Sequence, residues 1–218
     1  MIGILLHITT SRPDIMQVVC MVGRFQSVPK HSHLVVVKHI FKYLKGTMNY
    51  GLWYPRNQNF QLTTYSDTDW ANCLDERKST SGGAFFLGDS LVAWLSKKQS
   101  SIALSTIEVE YVATATCCTQ VLWMIQALAD LEIKYAEPIS LHFDNTSAIS
   151  ISKNPVLHSK TKHIPIKYHS LRDQVANRVI QLQFIPSTEQ IVDIFTKPLT
   201  KDQFEYLCQK LGVKPHSD

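Results

Sequence analysis

The length, composition and charge of the chain set the first limits on what it can be. Its 218 residues, 44% hydrophobic and 18% charged, are typical of one good-sized globular domain, or a domain plus a smaller appendage, and exclude a disordered chain. Five cysteines, odd in number and without a CxxC pair, predict free thiols in a reducing compartment. No apolar run reaches the roughly 18 residues that a membrane helix needs, and the apolar N-terminus lacks the leading basic residues of a signal peptide.

The net charge of +4 is unevenly distributed along the chain. Residues 1–60 contain seven Lys and Arg against a single acid, which gives +6, whereas the remaining 158 residues hold 15 basic and 17 acidic side chains, which gives −2. A basic segment commonly marks a polyanion partner, but a solvated helix face has the same composition. Both interpretations of the basic segment stay open at this point.

The first predicted elements are two helices. The stretch "SRPDIMQVVCMVGRFQ" has Ser11 as an N-cap, Pro13 in the first turn and Asp14 near the positive end of the helix dipole. A second helix is predicted through "HSHLVVVKHIFKYLKG" and ends at Gly46. Helical spacing gives this second helix an inward face, Leu34, Val37, Ile40, Phe41 and Leu44, and an opposite basic face, Lys38, Lys42 and Lys45.

After a joint rich in Pro, Arg and Asn at 55–59, the pattern changes to that of a sheet with helices. Strands are predicted near 61–67, 82–88 and 91–95, followed by a long helix near 105–130 and a strand at 138–143. A helix begins at Asn145, another covers about 165–177, and a strand at 179–185 precedes a last helical region from Thr188. Three consecutive strands followed by alternating helices and strands predict a mixed sheet in an α/β or α+β protein.

Several acids stand where predicted strands end or predicted helices run. Strands end at Asp67 and Asp69 in "TTYSDTDWA" and at Asp144 in "ISLHFDNTSAI", and helices carry Glu108, Glu110 and Asp193. A single Asp at a strand end ordinarily serves as a turn or cap residue. A group of carboxylates, in contrast, repels itself unless a divalent cation neutralises it, and Mg²⁺ favours carboxylate oxygens. The pattern therefore predicts a metal site built from strand ends and helices.

A series of phrases runs through the chain in a fixed order: "HITTSRPDI", "VVKHIFKYLKGT", "GLWYP", "YSDTDWA", "RKSTSGGAFFLG", "VAWLSKKQ", "ALSTIEVEY", "FDNTSAI", "KNPVLHSKTKHIPIKYHSLRD" and "DIFTKPL". Together they resemble the C-terminal end of the copia-type retrotransposon Pol polyprotein over nearly the whole chain. The resemblance implies an α/β fold with a ribonuclease H-like five-stranded mixed sheet flanked by helices and preceded by a small basic helical segment. It also implies three parts: a helical remnant of the reverse-transcriptase thumb or connection region at 1–56, a ribonuclease H domain at 57–199, and a C-terminal helix and tail at 200–218.

The resemblance implies a two-metal site with Mg²⁺, or Mn²⁺ as a substitute. Its catalytic and metal-binding acids would be Asp67, Glu110, Asp144 and Asp193, with Glu108 and Asp69 as outer neighbours. Spacing alone leaves a swap of Glu108 for Glu110 open. Two residues that are two apart on a helix differ in direction by about 200°, so at most one of them faces the metals.

The implied activity is hydrolysis of the RNA strand of an RNA–DNA hybrid, which is the expected partner. Candidate nucleic-acid contacts are Lys97, Lys98, Ser105, Thr106, Asn145, Lys160 and Lys162, together with Lys38, Lys42 and Lys45 on the basic segment. The 2′-OH distinguishes RNA from DNA, and Ser105, Thr106 and Asn145 are the candidates for its recognition. Helix capping explains Ser105 equally well, and solvation remains the alternative for the lysines.

Two departures from the family pattern qualify this expectation. The segment "FIPSTEQIVD" lacks the loop His that many ribonucleases H carry just before the last acid. The polymerase core of the reverse transcriptase is absent from this chain, so DNA synthesis is not expected. The alternative is a catalytically silent retrotransposon-derived fragment that acts at most as a nucleic-acid-binding or scaffold module. We expect the chain in the cytoplasm, within a virus-like particle, or in the nucleus, without secretion or membrane association.

Overall fold

The structure, a computed structural model, describes residues 1–56, 60–70, 78–100, 105–133, 138–146, 149 and 170–216. Its centre is a five-stranded sheet whose strands, in chain order, are β2 (Leu62–Asp69), β3 (Thr80–Leu87), β4 (Ser90–Lys98), β5 (Ile139–Phe143) and β6 (Ile180–Phe184). In space the order is β4-β3-β2-β5-β6, with the first three strands antiparallel and β5 and β6 parallel to β2 and to each other. The mixed sheet predicted from the alternation of elements is confirmed.

Helices cover both faces of this sheet: α4 (Thr106–Asp130) and α5 (Ser170–Ala176) on one side, α6 (Asp193–Thr196) and α7 (Lys201–Lys210) on the other. Because side chains alternate along a strand, each strand contributes to two cores. Phe85 and Leu141 pack on the α4 side, whereas Ala84 and Phe86 pack with Phe195 on the α6 side. The α/β class and the five-stranded sheet flanked by helices are therefore as predicted.

Helix α4 is long and apolar enough to cross a membrane by length and composition, and it is the single helix of that kind in the described part of the chain. The expectation that no stretch reaches that length is wrong for this helix. Half of its most apolar window is buried, with Tyr111, Val112 and Val121 in the core against the sheet. Packing on the sheet thus explains the apolar character of α4.

The N-terminal segment contains three helices, α1 (Ile2–Ile8), α2 (Met16–Gly23) and α3 (His31–Gly46), around a small core of their own. Val37 and Ile40 of α3 are buried as predicted. Leu34 and Phe41 are not, since 39% and 38% of their surfaces are exposed. Tyr43 also lies on the inner face of α3, where it packs against this core. Its hydroxyl donates a hydrogen bond to Asp14 at 2.7 Å.

The "SRPD" phrase connects these helices through polar contacts. The prediction that Ser11 caps α2 is wrong, because the N-cap of α2 is Ile15. The Ser11 hydroxyl donates to the carbonyl of Ile8, at the end of α1, and a short 3-10 turn precedes α2. The buried Arg12 guanidinium pairs with the Asp14 carboxylate at 2.7 Å and donates to the Thr47 carbonyl at 3.0 Å. Since Thr47 follows α3, this network ties the start of α2 to the end of α3.

A second, two-stranded sheet links the N-terminal segment to the C-terminal tail. Strand β1 (Tyr50–Leu52) pairs antiparallel with β7 (Val213–Pro215). The Tyr43 ring of α3 meets Phe204 of α7 edge-on, with ring centroids 5.9 Å apart. The Trp94 indole of β4 donates to the Thr9 carbonyl at 3.0 Å. The basic helical segment therefore packs against both the tail and the main sheet.

Candidate metal centre

Three carboxylates converge at the end of the main sheet where the central strands β2 and β5 finish. Asp67, Glu110 and Asp144 each offer an oxygen that lies within 4.8 Å of the others. Two of them meet because β2 and β5 are neighbouring parallel strands in which Tyr65 is paired with His142. Each acid stands two residues beyond that pair, so both lie at the same level. Glu110, from the first turns of α4, completes the triad.

The fourth predicted acid, Asp193, lies beside this triad and outside it. It begins α6, and after burial its negative charge is one of the causes that raise the pKa of Asp67. Its Oδ1 atom pairs with the Lys197 Nζ atom at 2.9 Å. From the end of the same helix, the Thr196 hydroxyl donates to the Asp67 Oδ2 atom at 2.5 Å. One short helix thus supplies an acid, a hydroxyl and, just after it, a cation.

Helix α6 reaches this position because the strand facing it carries a glycine. Gly82 is paired with Asp67 across β2 and β3. A Cβ atom at Gly82 would lie 2.6 Å from Val192 Cγ1 and 2.7 Å from Thr196 Cγ2. The glycine therefore lets α6 approach the sheet closely enough for Thr196 to contact Asp67.

Gly82→Ala is expected to lower stability by about 1–3 kcal/mol, because the added methyl overpacks the α6 contact. The melting temperature should then fall by about 2–4 °C per kcal/mol. The matched control is Gly51→Ala, also in a strand, where an added Cβ meets nothing within 4 Å. Equal melting temperatures for the two variants, measured by circular dichroism, would contradict this account of Gly82.

Burial and mutual repulsion raise the pKa values of Glu110, Asp67 and Asp193. Burial raises the pKa of Glu110 to about 8, with a further contribution from Asp67 and an opposing one from the Thr68 hydroxyl, which donates at 2.5 Å. Burial likewise raises the pKa of Asp67 to about 7; Thr196 and Lys197 oppose this shift. The pKa of Asp193 is also raised, by burial first, against the effect of Lys197. Neutralisation by a cation relieves this repulsion.

The donor set fits a hard divalent cation. All three converging groups are carboxylates, the ligand type that Mg²⁺ takes. Glu110 Oε1 accepts from Thr68, whereas the buried Oε2 atom has no hydrogen-bond partner among the described residues. A buried oxygen without a donor is costly unless something binds it. These residues are therefore suited to hold a metal ion.

The structure distinguishes the two glutamates that spacing left open. Glu110 joins Asp67 and Asp144, whereas Glu108 lies in the first turn of α4. The Glu108 backbone N–H donates to the Ser105 hydroxyl at 3.3 Å, so Ser105 is the N-cap of α4. Thr106 is the exposed first residue of α4, Asn145 directly follows Asp144, and Asp69 is the last residue of β2.

The predicted lysines fall into three groups. Lys97 and Lys98 are the last residues of β4. Their partners on β3 are Ser81 and Thr80, which in turn pair with Thr68 and Asp69, so the two lysines lie at the metal-site end of the sheet. Lys38, Lys42 and Lys45 are exposed on α3. Lys160 and Lys162 lie outside the described residues.

Sequence reasoning missed four polar contacts of the acids. These come from Thr68, Thr196 and Lys197, described above, and from Ser187, whose hydroxyl donates to Asp144 Oδ2 at 2.8 Å. A signal was present for two of them. In "DIFTKPL", Thr196 and Lys197 stand three and four residues after Asp193, where a helical turn brings side chains together.

Comparison with known proteins identifies relatives along almost the full chain. The chain is 35% identical over 212 residues to the retrovirus-related Pol polyprotein from transposon RE1 of Arabidopsis thaliana, covering 97% of this chain and 14% of that protein. It is 36% identical over 208 residues to the corresponding polyprotein from transposon TNT 1-94 of Nicotiana tabacum, covering 95% and 15%. No protein-family model matches the chain.

A solved structure is also similar. The N-terminal RNase H domain of rv2228c from Mycobacterium tuberculosis aligns with a TM-score of 0.41 and 10% identity, over 69% of this chain and 98% of that one. The chain spans about 15% of the length of the polyproteins it matches. The long alignments confirm the resemblance seen in the sequence phrases. Over 95–97% of its length the chain aligns with retrovirus-related Pol polyproteins from copia-type transposons, which are therefore its homologues over that segment.

Proposed function

We propose that this chain is a divalent-metal-dependent ribonuclease that hydrolyses the RNA strand of RNA–DNA hybrids. The observation that carries the proposal is the convergence of Asp67, Glu110 and Asp144 at the ends of β2 and β5 and the start of α4. Homology to the copia-type Pol polyproteins supports the same activity. The proposed protein partner is the polymerase part of such a polyprotein. Residues 1–56 are proposed to be a helical remnant of the reverse-transcriptase thumb or connection region.

The proposed cofactor is Mg²⁺, with Mn²⁺ as a substitute. Asp67, Glu110 and Asp144 would hold it, and Asp193 beside them would complete a two-ion site. Such an ion would supply Lewis-acid chemistry for the hydrolysis of a phosphodiester. Thr68 and Thr196 orient two of the acids by donating to one oxygen of each.

We propose that residues around the triad position a nucleic-acid strand. Lys97 lies level with Thr68, two strands away, which is about 10 Å at the usual strand spacing. That distance suits contact with a phosphate neighbouring the one at the acids. Asn145, next to Asp144, and the exposed Thr106 are the proposed contacts to the 2′-OH. Ser105 caps α4 through its oxygen, so its hydroxyl proton can still be donated.

Cleavage of a labelled RNA–DNA hybrid by the full chain tests this proposal. We expect cuts in the RNA strand with Mg²⁺ and none with EDTA, and no cuts in a DNA duplex of the same sequence. The alternative, a catalytically silent module, is favoured by the exposed apolar residues on the N-terminal helices, among them Ile4 and Phe41. Binding of the hybrid without metal-dependent cleavage would establish that alternative.

The basic face of α3 is proposed to add affinity and no catalysis. Changing Lys38, Lys42 and Lys45 to Gln should weaken hybrid binding for every sequence, because each lysine that neutralises a phosphate releases counterions. The slope of log affinity against log salt should fall by about two to three, at roughly 0.7–0.9 per contact. Cleavage at saturating hybrid should stay nearly unchanged.

Fluorescence anisotropy with labelled hybrid at several salt concentrations measures this slope. The charge-matched control changes Lys201, Lys210 and Lys214, which lie on α7 and β7, to Gln. If the α3 variant and the control give the wild-type affinity and slope, the basic face serves solvation or protein docking.

A further inference from the structure

A lysine lies among the acidic side chains of the candidate metal centre. Lys197 Nζ lies 2.9 Å from Asp193 Oδ1, and its charge also acts on Asp67 and Asp144. The Asp193 side chain is 18% exposed and that of Lys197 is 37% exposed. Both side chains are therefore partly buried.

The backbone holds this lysine in place. Helix α6 ends at Thr196, and Lys197 follows in extended conformation with its N–H donating to the Asp193 carbonyl at 3.1 Å. Thr196 is itself fixed to Asp67, and Gly82 lets the helix lie close to the sheet. The short length of α6 thus brings Lys197 back to the acid four residues earlier.

The four acids consequently divide into two sets. Asp67, Glu110 and Asp144 form the converging triad, and Glu110 keeps a buried oxygen without a partner among the described residues. Asp193 is outside the triad; its buried Oδ1 atom likewise has no hydrogen-bond partner among the described residues, but it lies 2.9 Å from the Lys197 ammonium group. A second positive charge brought to Asp193 would meet that ammonium group at short range, where like charges repel strongly.

We propose that Lys197 is a built-in counter-cation, which neutralises the Asp193 side of the site in the metal-free protein and competes there with divalent metal. This inference rests on the proposed function, since it concerns the same site. Metal would fill the triad first, and Asp193 would become a ligand only when Lys197 turns to solvent. Lys197 is accordingly a positioning residue for Asp193.

Titration of Mn²⁺ alone into the full chain, followed by electron paramagnetic resonance, tests the inference. Lys197→Gln is expected to bind Mn²⁺ about tenfold more tightly, because a unit charge near a partly screened site is removed. In EDTA the same variant should melt about 2–4 °C lower, the shift that corresponds to roughly 1 kcal/mol in a protein of this size. A merely structural lysine would lower the melting temperature without tightening metal binding.

Two further variants separate charge from bulk. Lys197→Arg keeps the charge and should bind Mn²⁺ like the wild type. Lys201 forms another i, i+4 pair, with Glu205 at 3.8 Å, and this pair is exposed. Lys201→Gln should therefore leave the Mn²⁺ affinity unchanged. If the wild type binds Mn²⁺ and Lys197→Gln binds it equally or more weakly, the inference about Lys197 is wrong but the proposed metal site stands. If the wild type shows no Mn²⁺ binding that is lost in Asp67→Asn, the proposed metal site is wrong as well.

Discussion

Asp67→Asn and Asp144→Asn are each expected to abolish metal-dependent cleavage of the hybrid while leaving the fold intact. Asparagine keeps the shape of the side chain and removes the charge that attracts the metal. We expect a fall in rate of about 10³-fold or more, since loss of a single preorganised electrostatic group already costs about 10²–10³-fold. Circular dichroism should show an unchanged fold, because the acids lie at the ends of the central strands and not in either apolar core.

Asp130→Asn provides the matched control for this comparison. Asp130 is the exposed last residue of α4, the helix that carries Glu110, and 20 residues of helix separate the two by about 30 Å. This variant should cut the hybrid at the wild-type rate. Near wild-type cleavage by both Asp67→Asn and Asp144→Asn would show that the triad does not carry the reaction.

Asp67→Asn should also make the metal-free protein more stable at neutral and alkaline pH. Burial raises the pKa of Asp67 from 3.8 to about 7 in the folded state. The folded protein therefore binds this proton more tightly than the unfolded chain, and its stability falls as pH rises between the two values. Replacing the acid removes that loss, on the order of 2–4 kcal/mol when fully developed.

Thermal unfolding in EDTA at pH 4 and pH 8 measures this effect. The increase in melting temperature of Asp67→Asn over the wild type should be near zero at pH 4, grow up to about pH 7 and then level off. At pH 8 it should reach about 5–10 °C, given about 2–4 °C per kcal/mol for a chain of this length. Asp130→Asn should show no such pH dependence. If Asp67→Asn melts no higher than the wild type at pH 8, the pKa of Asp67 is not raised in the folded protein.

The main sheet could be predicted because its strands are long enough to show a period. Residues 62–69 alternate between two cores, and α4 shows the length and spacing of a buried helix. Strands β1 and β7 have three residues each, too few for any period, and they exist only through their pairing with each other. Helical spacing predicts Leu34 and Phe41 on the inward face, yet both are exposed, because spacing defines a helix face but not how much of that face a neighbour covers.

At the site, the acids could be found from the sequence but not their surroundings. Parallel pairing of β2 and β5 places Asp67 and Asp144 together once the strands are known. The choice between Glu108 and Glu110 depends on the rotation of α4 over the sheet, which a sequence does not encode locally. Lys197 was missed because its position depends on α6 ending after one turn.

The pairing of β1 with β7 means that sequence boundaries and spatial boundaries differ in this protein. The first 52 residues are joined to residues 213–215 by a shared ladder, to α7 by the Tyr43–Phe204 ring contact and to β4 by the Trp94–Thr9 hydrogen bond. A single backbone cut between residues 56 and 60 would therefore not release the N-terminal helices. The two pieces would remain associated through these non-covalent contacts, as in a fragment-complementation pair, and separate only when the protein unfolds.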